Sequence, residues 1–266
     1  MSAHEPEVEA GYVDHLFSLE GKIALVVGGG SGLGEAISLG YSQAGATVVI
    51  ADVNDDASNA VIESVADRPN PPVFMHVDVT KRASIDALVD EVVSRFGRID
   101  VLVNCAGSAS RHPAEDYPEE VWDRIITLNL KGTFMTCQAV GKKMLAQGSG
   151  SIINIASIGA SIAYPQTTGY LQSKGAVAQM TRSLALEWID RGVRVNALAP
   201  SLFDTPLVRM NDKQKSLTSE FIMARTPIGR KGQPYEVVGP AIFLASDASS
   251  MVVGHILQVD GGYLIA

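Results

Sequence analysis

Cysteine is scarce in this chain. Cys105 and Cys137 are the only two among 266 residues, too few for a disulfide framework or a structural zinc site. A reduced, cytoplasmic setting is the expectation. Long apolar runs are missing too, and none approaches the roughly 18 residues that a membrane span needs. Residues 1–18 carry Glu5, Glu7, Glu9 and Asp14 where a secretory leader would need a basic end and an apolar stretch. They read as an acidic N-terminal arm. Positive charge is in deficit, with 21 Lys+Arg against 29 Asp+Glu and a net charge of −8, which argues against nucleic acid or anionic lipid as a partner. The five histidines stand apart at positions 4, 15, 76, 112 and 255 with no His-Glu-x-x-His spacing, so no metal is expected. A Gly-x-Ser-x-Gly elbow is also absent, which speaks against a serine hydrolase.

The chain does contain 46% apolar residues, enough to build a core, in a length that suits one large domain. Seven short β-branched runs begin at Ile23, Thr47, Val73, Ile99, Ser151, Val193 and Ile256. They are apolar on both faces, as strands of a parallel sheet covered by helices are. Segments of helical spacing lie between them, such as Arg82–Phe96 and Ala176–Trp188, and this alternation predicts βαβ units with right-handed crossovers. No repeat or linker divides residues 19–266. The long stretch after Ala199 departs from the pattern; its position beyond a strand's carboxyl end suggests a substrate lid at about 206–232.

Gly28, Gly32 and Gly34 follow the first strand and open a helix. A backbone without Cβ atoms can approach a pyrophosphate closely, and the helix start offers free N–H groups to it. Glu35 stands where a kinase-type phosphate loop needs lysine. Asp52 ends the second strand, where a carboxylate accepts the hydroxyls of an adenosine ribose and repels a 2′-phosphate. With no Arg or Lys in Val53-Asn54-Asp55, NAD is favoured over NADP. Further on, Tyr170 and Lys174 are four residues apart, on one face if helical. A neighbouring cation lowers a phenol's pKa, which makes Tyr170 a usable proton acceptor. Ser157 closes a strand and points into the cleft at the sheet's carboxyl edge.

Gly28-x3-Gly32-x-Gly34, Asn104-Cys105-Ala106-Gly107, Ser157 and Tyr170-x3-Lys174, in this order, resemble the short-chain dehydrogenase/reductase family from about Leu19 to the end. The resemblance implies a single α/β domain with a doubly wound, Rossmann-type parallel sheet of seven strands in the order 3-2-1-4-5-6-7, helices on both faces, and a homotetramer. It implies an NAD-dependent oxidoreductase that interconverts a secondary alcohol and a carbonyl. Tyr170 is then the acid/base, Ser157 orients the substrate oxygen, Lys174 holds the nicotinamide ribose, and Asn129 holds a proton-relay water. It assigns to the cofactor Gly28, Ser31, Gly32, Leu33 and Gly34, then Asp52, Asp78 and Val79. Asn104, Ala106, Gly107, Tyr170, Lys174, Pro200, Leu202 and Thr205 complete that set. Three departures stand out: Val27 for a threonine, Cys105 for a second asparagine, and Ser201 for the glycine after Pro200. Family members pair subunits through the helical segment of about 118–146, which holds Cys137, and the helix of Tyr170; Trp188 is interface or core.

Within the family the chain is most similar to the gluconate 5-dehydrogenase and 2-deoxygluconate 3-dehydrogenase group, on residues 16–22, 110–113, 225–232 and 254–263. This points to a sugar, sugar acid or polyol as the small-molecule substrate. Arg111 could grip a sugar-acid carboxylate, or lie on the surface against Glu115 or Asp116. The alternatives are a reductase of a 3-oxoacyl or other hydrophobic ketone, and a non-catalytic NAD-binding sensor. The second is disfavoured because Asn129, Ser157, Tyr170 and Lys174 are all kept.

Overall fold

A computed structural model describes residues 11–212 and 217–266. Residues 1–10 of the expected N-terminal arm and 213–216 of the expected lid lie outside the described residues. Seven strands form one parallel sheet: β1 (Ile23–Val27), β2 (Thr47–Asp52), β3 (Val73–His76), β4 (Val101–Asn104), β5 (Gly150–Ile155), β6 (Val193–Pro200) and β7 (Ile256–Val259). Their order is β3-β2-β1-β4-β5-β6-β7, and every neighbouring pair is parallel. All seven carboxyl ends therefore lie along one edge. The order reverses between β1 and β4, and that crevice is where ligands bind in open α/β sheets.

The strand sequences explain the layering. In β1 the side chains of Leu25 and Val27 enter one core cluster, and those of Ala24 and Val26 enter the other. In β2 Val49 and Ala51 face the first cluster while Val48 and Ile50 face the second. A period of two with both faces apolar is what a sheet covered on both sides demands. The first cluster is closed by α4 (Arg82–Phe96), α6 (Thr133–Gln147) and α7 (Thr168–Trp188). The second is closed by α2 (Gly32–Gln43) and α10 (Val238–Ala245), and α3 (Asp55–Glu63) links β2 to β3. Trp188 belongs to the core, packed so closely on α6 that a Cβ at Gly141 would come within 2.6 Å of its ring.

Some boundaries differ from the sequence expectation. The fourth strand starts at Val101 rather than Ile99, because Asp100 faces β1 with its side chain as well as its backbone. Its carboxylate accepts from the Ile23 N–H at 2.9 Å, and its own N–H donates to Ile23 O at 2.9 Å. Helix α7 begins eight residues before Ala176 and so carries Tyr170 and Lys174 in its first two turns. The segment of about 118–146 is not one regular helix. It runs as α5 (Glu119–Ile126), a π-type turn over Thr127–Gly132 and then α6. After β6, the stretch expected to be loop contains two short helices, α8 (Pro206–Asp212) and α9 (Leu217–Met223). Before β1, α1 spans Tyr12–Phe17. No helix among the described residues is long and apolar enough to cross a membrane.

Leu25, fully buried at the centre of the sheet, makes the packing claim testable. Leu25→Ala is expected to lower the unfolding free energy by roughly 2–5 kcal/mol. Lys22→Ala removes an ion pair to Asp247 at 3.7 Å between side chains 35% and 75% exposed, and is expected to cost less than about 1 kcal/mol. Denaturant titrations with equal slopes would check both values, and comparable losses would contradict this account of the core.

Candidate active site

The turn after β1 is shaped by what its glycines allow. Gly28 has φ +79°, and a Cβ there would lie 2.4 Å from Ala106 N, in the loop after β4. A Cβ on Gly34 would lie 2.0 Å from Gly28 O. The chain thus turns tightly enough to aim the amino end of α2, which starts at Gly32, into the crevice between β1 and β4. A groove of about 320 Å³ opens there. Gly28, Ser31, Gly32 and Leu33 line one side, with Asp52 beyond them. Ala106, Gly107, Tyr170 and Lys174 line the floor, and Pro200 and Thr205 the far wall. Gly34 lies just below this surface, against Gly28. Asp78 and Val79 border a small adjoining recess with Val53 and Leu128.

Asp52 is held in place by two backbone donors. Oδ2 accepts from Gly30 N at 3.0 Å and Oδ1 from Asn54 N at 3.0 Å. Asp78 is more heavily engaged: Thr80 Oγ1 donates at 2.6 Å, and Lys81 Nζ lies 2.9 Å away. These partners hold its carboxyl down at about 2, with the Thr80 hydroxyl the larger influence.

Two residues of the expected cofactor set stand elsewhere. Asn104 turns its side chain into the core, where Nδ2 donates to Asn154 Oδ1 at 2.9 Å and contacts Cys137 Sγ at 3.2 Å. Strand register dictates this, since Asn104 pairs directly with Asn154 on the face toward α6 and α7. Asn154 continues the chain to Thr181 at 3.0 Å. Leu202 packs with Ile158, Ile222 and Tyr263, away from the nucleotide groove. Conversely, Val53, Leu128 and Phe203 line the groove or its recess without a sequence signal of their own, and Cys105 of the Asn104–Gly107 motif lines the groove with them. Cys105 is pushed up to about 11 and Cys137 to about 12, both chiefly by burial, so neither is a thiolate at neutral pH.

The four residues expected to do chemistry converge on α7. Lys174 is 6% exposed, and its Nζ donates to Ile155 O at 2.7 Å. Asn129 sits in the π-type turn, nearly inaccessible. Its Oδ1 accepts from Ser108 N at 2.9 Å, and its Nδ2 donates to Ser108 O at 2.9 Å and Ser173 Oγ at 3.0 Å. Its backbone carbonyl accepts from Thr133 Oγ1 at 2.7 Å. π-type turns interrupt regular helical bonding and recur at functional sites.

Ser157 follows β5 rather than closing it, and its hydroxyl accepts from Gly159 N at 3.1 Å. It borders a second cavity of about 90 Å³ together with Tyr170, Arg111, Tyr164, Thr218 and Ile222. Arg111 thus reaches the substrate side of Tyr170, and its Nη2 lies 3.5 Å from Ser219 Oγ on α9. Tyr164 and Thr218 were not among the expected site residues. Tyr164 could have been suspected, because it lies in the short segment whose two ends, Ser157 and Tyr170, both belong to the site.

The expected lowering of the Tyr170 phenol by Lys174 is not found. Burial pushes Tyr170 above the ordinary phenol value, and the Ser157 hydroxyl draws it back only in part. The ammonium lies 5.8 Å from the ring centroid and gives its hydrogen bond to Ile155 O.

This geometry has relatives. A family model described as enoyl-(acyl carrier protein) reductase matches residues 28–264. The chain belongs to the short-chain dehydrogenase/reductase family. It is 41% identical over 95% of its length to a D-threitol dehydrogenase of Mycolicibacterium smegmatis, covering 96% of that protein. It is 39% identical over 95% of its length to an NAD-dependent glycerol dehydrogenase of Listeria innocua, covering 97% of it. A gluconate 5-dehydrogenase from Burkholderia cenocepacia, solved in complex with NADP and tartrate, superposes with TM-score 0.90 at 37% identity. That match covers 96% of this chain and 99% of the other. Members of this family are dehydrogenases and reductases of alcohol and ketone groups, and this protein is an oxidoreductase that uses a nicotinamide cofactor. The groove fits such a group, since Gly28, Ser31, Gly32 and Leu33 line it where the amino end of α2 offers backbone N–H groups to a pyrophosphate.

Lys174 offers a test that needs no cofactor. Burial pulls its ammonium down to about 8 from an ordinary 10.5. Between these values the unfolded chain holds the extra proton, so this group's contribution to stability rises with pH across that window and is lost as pH falls through about 8. The difference in unfolding free energy between wild type and Lys174→Met is therefore expected to shift in favour of wild type from pH 8 to 10.5. A difference independent of pH would contradict the burial of a titrating ammonium.

Proposed function

We propose that this protein is an NAD-dependent dehydrogenase that interconverts a secondary alcohol and a carbonyl on a polyhydroxylated small molecule, a polyol, sugar or sugar acid. The observation that carries this reading is the substrate cavity, where Ser157 and Tyr170 share walls with Arg111, Tyr164 and Thr218. Aliphatic Ile158, Leu202, Leu207, Val208 and Ile222 also line it, so the reading rests on the hydroxyls and the guanidinium to which a polyhydroxylated substrate can hydrogen-bond. The names of the threitol, glycerol and gluconate relatives support the same substrate class.

In this reading Tyr170 takes the proton of the substrate hydroxyl, and Ser157 orients the oxygen that loses it. Oxidised nicotinamide, when bound, supplies the hydride acceptor and a positive charge that favours the phenolate. Lys174 binds the nicotinamide ribose, and with the Asn129 carbonyl it passes the proton toward solvent. The glycine loop and Thr205 hold the rest of the cofactor. Asp52 faces the adenosine ribose with its carboxylate fixed by Gly30 and Asn54, which disfavours a 2′-phosphate and supports NAD over NADP. The segment at about 206–232 acts as the substrate lid, with Leu207 and Val208 bordering both cavities. Exposed Leu186, Met251 and Ile265 support self-association, for which a homotetramer is our reading, and the two free thiols support a cytoplasmic setting.

Nicotinamide absorbance with NAD or NADP and a panel of polyols, aldoses, aldonic acids and hydrophobic ketones tests this directly. Turnover of a polyhydroxylated substrate with a preference for NAD is expected, with kcat reduced about 10²- to 10⁴-fold in Tyr170→Phe. Turnover confined to hydrophobic ketones would refute the substrate class, and a preference for NADP would refute the role of Asp52. Arg111→Ala is expected to raise KM for aldonic acids about tenfold while sparing neutral polyols. An equal rise for both classes would remove the anion-binding role.

A further inference from the structure

Four described residues border both the nucleotide groove and the substrate cavity: Tyr170, Ser201, Leu207 and Val208. Two of them are aliphatic. The other two carry hydroxyls, and the substrate chemistry already accounts for Tyr170. Ser201 is unaccounted for. Its Oγ is shielded from solvent and has no hydrogen-bond partner. An unpaired buried hydroxyl carries a desolvation cost that alanine or glycine at the same position would avoid. It also stands where the family pattern has glycine.

The position is rigid. Ser201 directly follows β6, and its N–H donates to Val259 O at 3.1 Å, so the register with β7 holds it. The next residue is fixed as well, with Leu202 O accepting from Gly232 N at 3.0 Å. The backbone of Ser201 is thus fixed on the sheet edge rather than on α8 or α9, and its shielded Oγ needs a rotation about χ1 to meet a substrate. Its Oγ can donate one hydrogen bond and accept others, and rotation about χ1 is its one adjustment.

We propose that Ser201 Oγ is a specificity-determining group that hydrogen-bonds an oxygen on the carbon next to the reacting one. The reacting carbon must lie where the two cavities meet, beside Tyr170, and Ser201 occupies that same junction. A vicinal hydroxyl satisfies the orphan group, whereas a methylene leaves it buried and unpaired. A site that hydrogen-bonds a substrate hydroxyl discriminates against the analogue lacking it, because the site's own group then goes unsatisfied. This inference rests on the proposed polyhydroxylated substrate and narrows it to compounds with an oxygen function adjacent to the carbon that is oxidised.

The test compares wild type, Ser201→Ala and Ser201→Gly on the best polyhydroxylated substrate of the panel and on its analogue deoxygenated at the neighbouring carbon. Both variants are expected to lose about tenfold in kcat/KM on the hydroxylated substrate and little on the deoxy analogue, with unchanged affinity for NAD. Ser201→Gly restores the family's residue, and its fold is checked by its melting temperature. Equal losses on both substrates would overturn the proposal and assign Ser201 a structural role. Weaker NAD binding with unchanged discrimination would overturn it in favour of a cofactor contact. Failure of wild type on every polyhydroxylated compound would instead overturn the substrate class, and it is visible without any variant.

Discussion

The passage of Gly28 against the backbone of Ala106 is the contact on which the site depends. Strand β1 must end, turn through a positive φ and present the amino end of α2 within the crevice that β4 borders. A single methyl group at Gly28 would stand 2.4 Å from Ala106 N, closer than any real Cβ contact, and the obstacle is backbone that cannot rotate away. Ala106 is itself held, because its N–H and that of Cys105 both donate to Val27 O, at 3.0 and 2.8 Å. The glycine loop after β1 and the loop after β4 that floors the groove are thus two sides of one close packing. Neither can shift without the other.

Beneath that junction the chemistry is held by polar groups that are nearly all paired. Asn129 joins the loop at Ser108 to helix α7 at Ser173, and Lys174, one residue further, is tied to the carboxyl end of β5 through Ile155 O. Removing the ammonium from solvent destabilises the fold, and the lowered proton affinity of Lys174 measures that cost. The two sheet-wide core clusters more than offset it. A buried cation without a carboxylate partner is poor architecture by itself, and its presence makes sense only if an incoming group uses it.

Much of this was legible in the sequence. The seven strands followed from apolar runs, and their order followed from the family resemblance that the motifs around Gly28, Ser157, Tyr170 and Lys174 carry. What escaped depends on three-dimensional register. Asn104 sits in a motif beside the cofactor, yet the alternation of β4 sends its side chain to the opposite side, toward Asn154. The π-type turn at Asn129 was hidden in a helical segment because one residue of extra winding leaves the apolar periodicity nearly intact. Leu202 and Tyr164 were misjudged or missed because which cavity a side chain enters near a sheet edge is set by packing against α9 and Tyr263. The Tyr170 phenol went the other way from expectation because burial pushes it up and outweighs the Ser157 hydroxyl.

Part of what escaped lies in one place: Tyr164, Thr218 and the side chains of Leu202 and Arg111 all border the cavity of Ser157 and Tyr170. One wall of that cavity is built from α7 and the segments that follow β5 and β6, and the other comes from α9, whose Thr218 hydroxyl donates to Pro165 O at 3.2 Å. The α9 wall is also held by the Arg111 contact at Ser219 and by Ile222, which packs with Ile158, Leu202 and Tyr263. The other wall is fixed by the sheet. A polar group added there, as Ser201 is, keeps its position whatever α9 does, so it can distinguish substrates by a hydrogen bond rather than by shape alone.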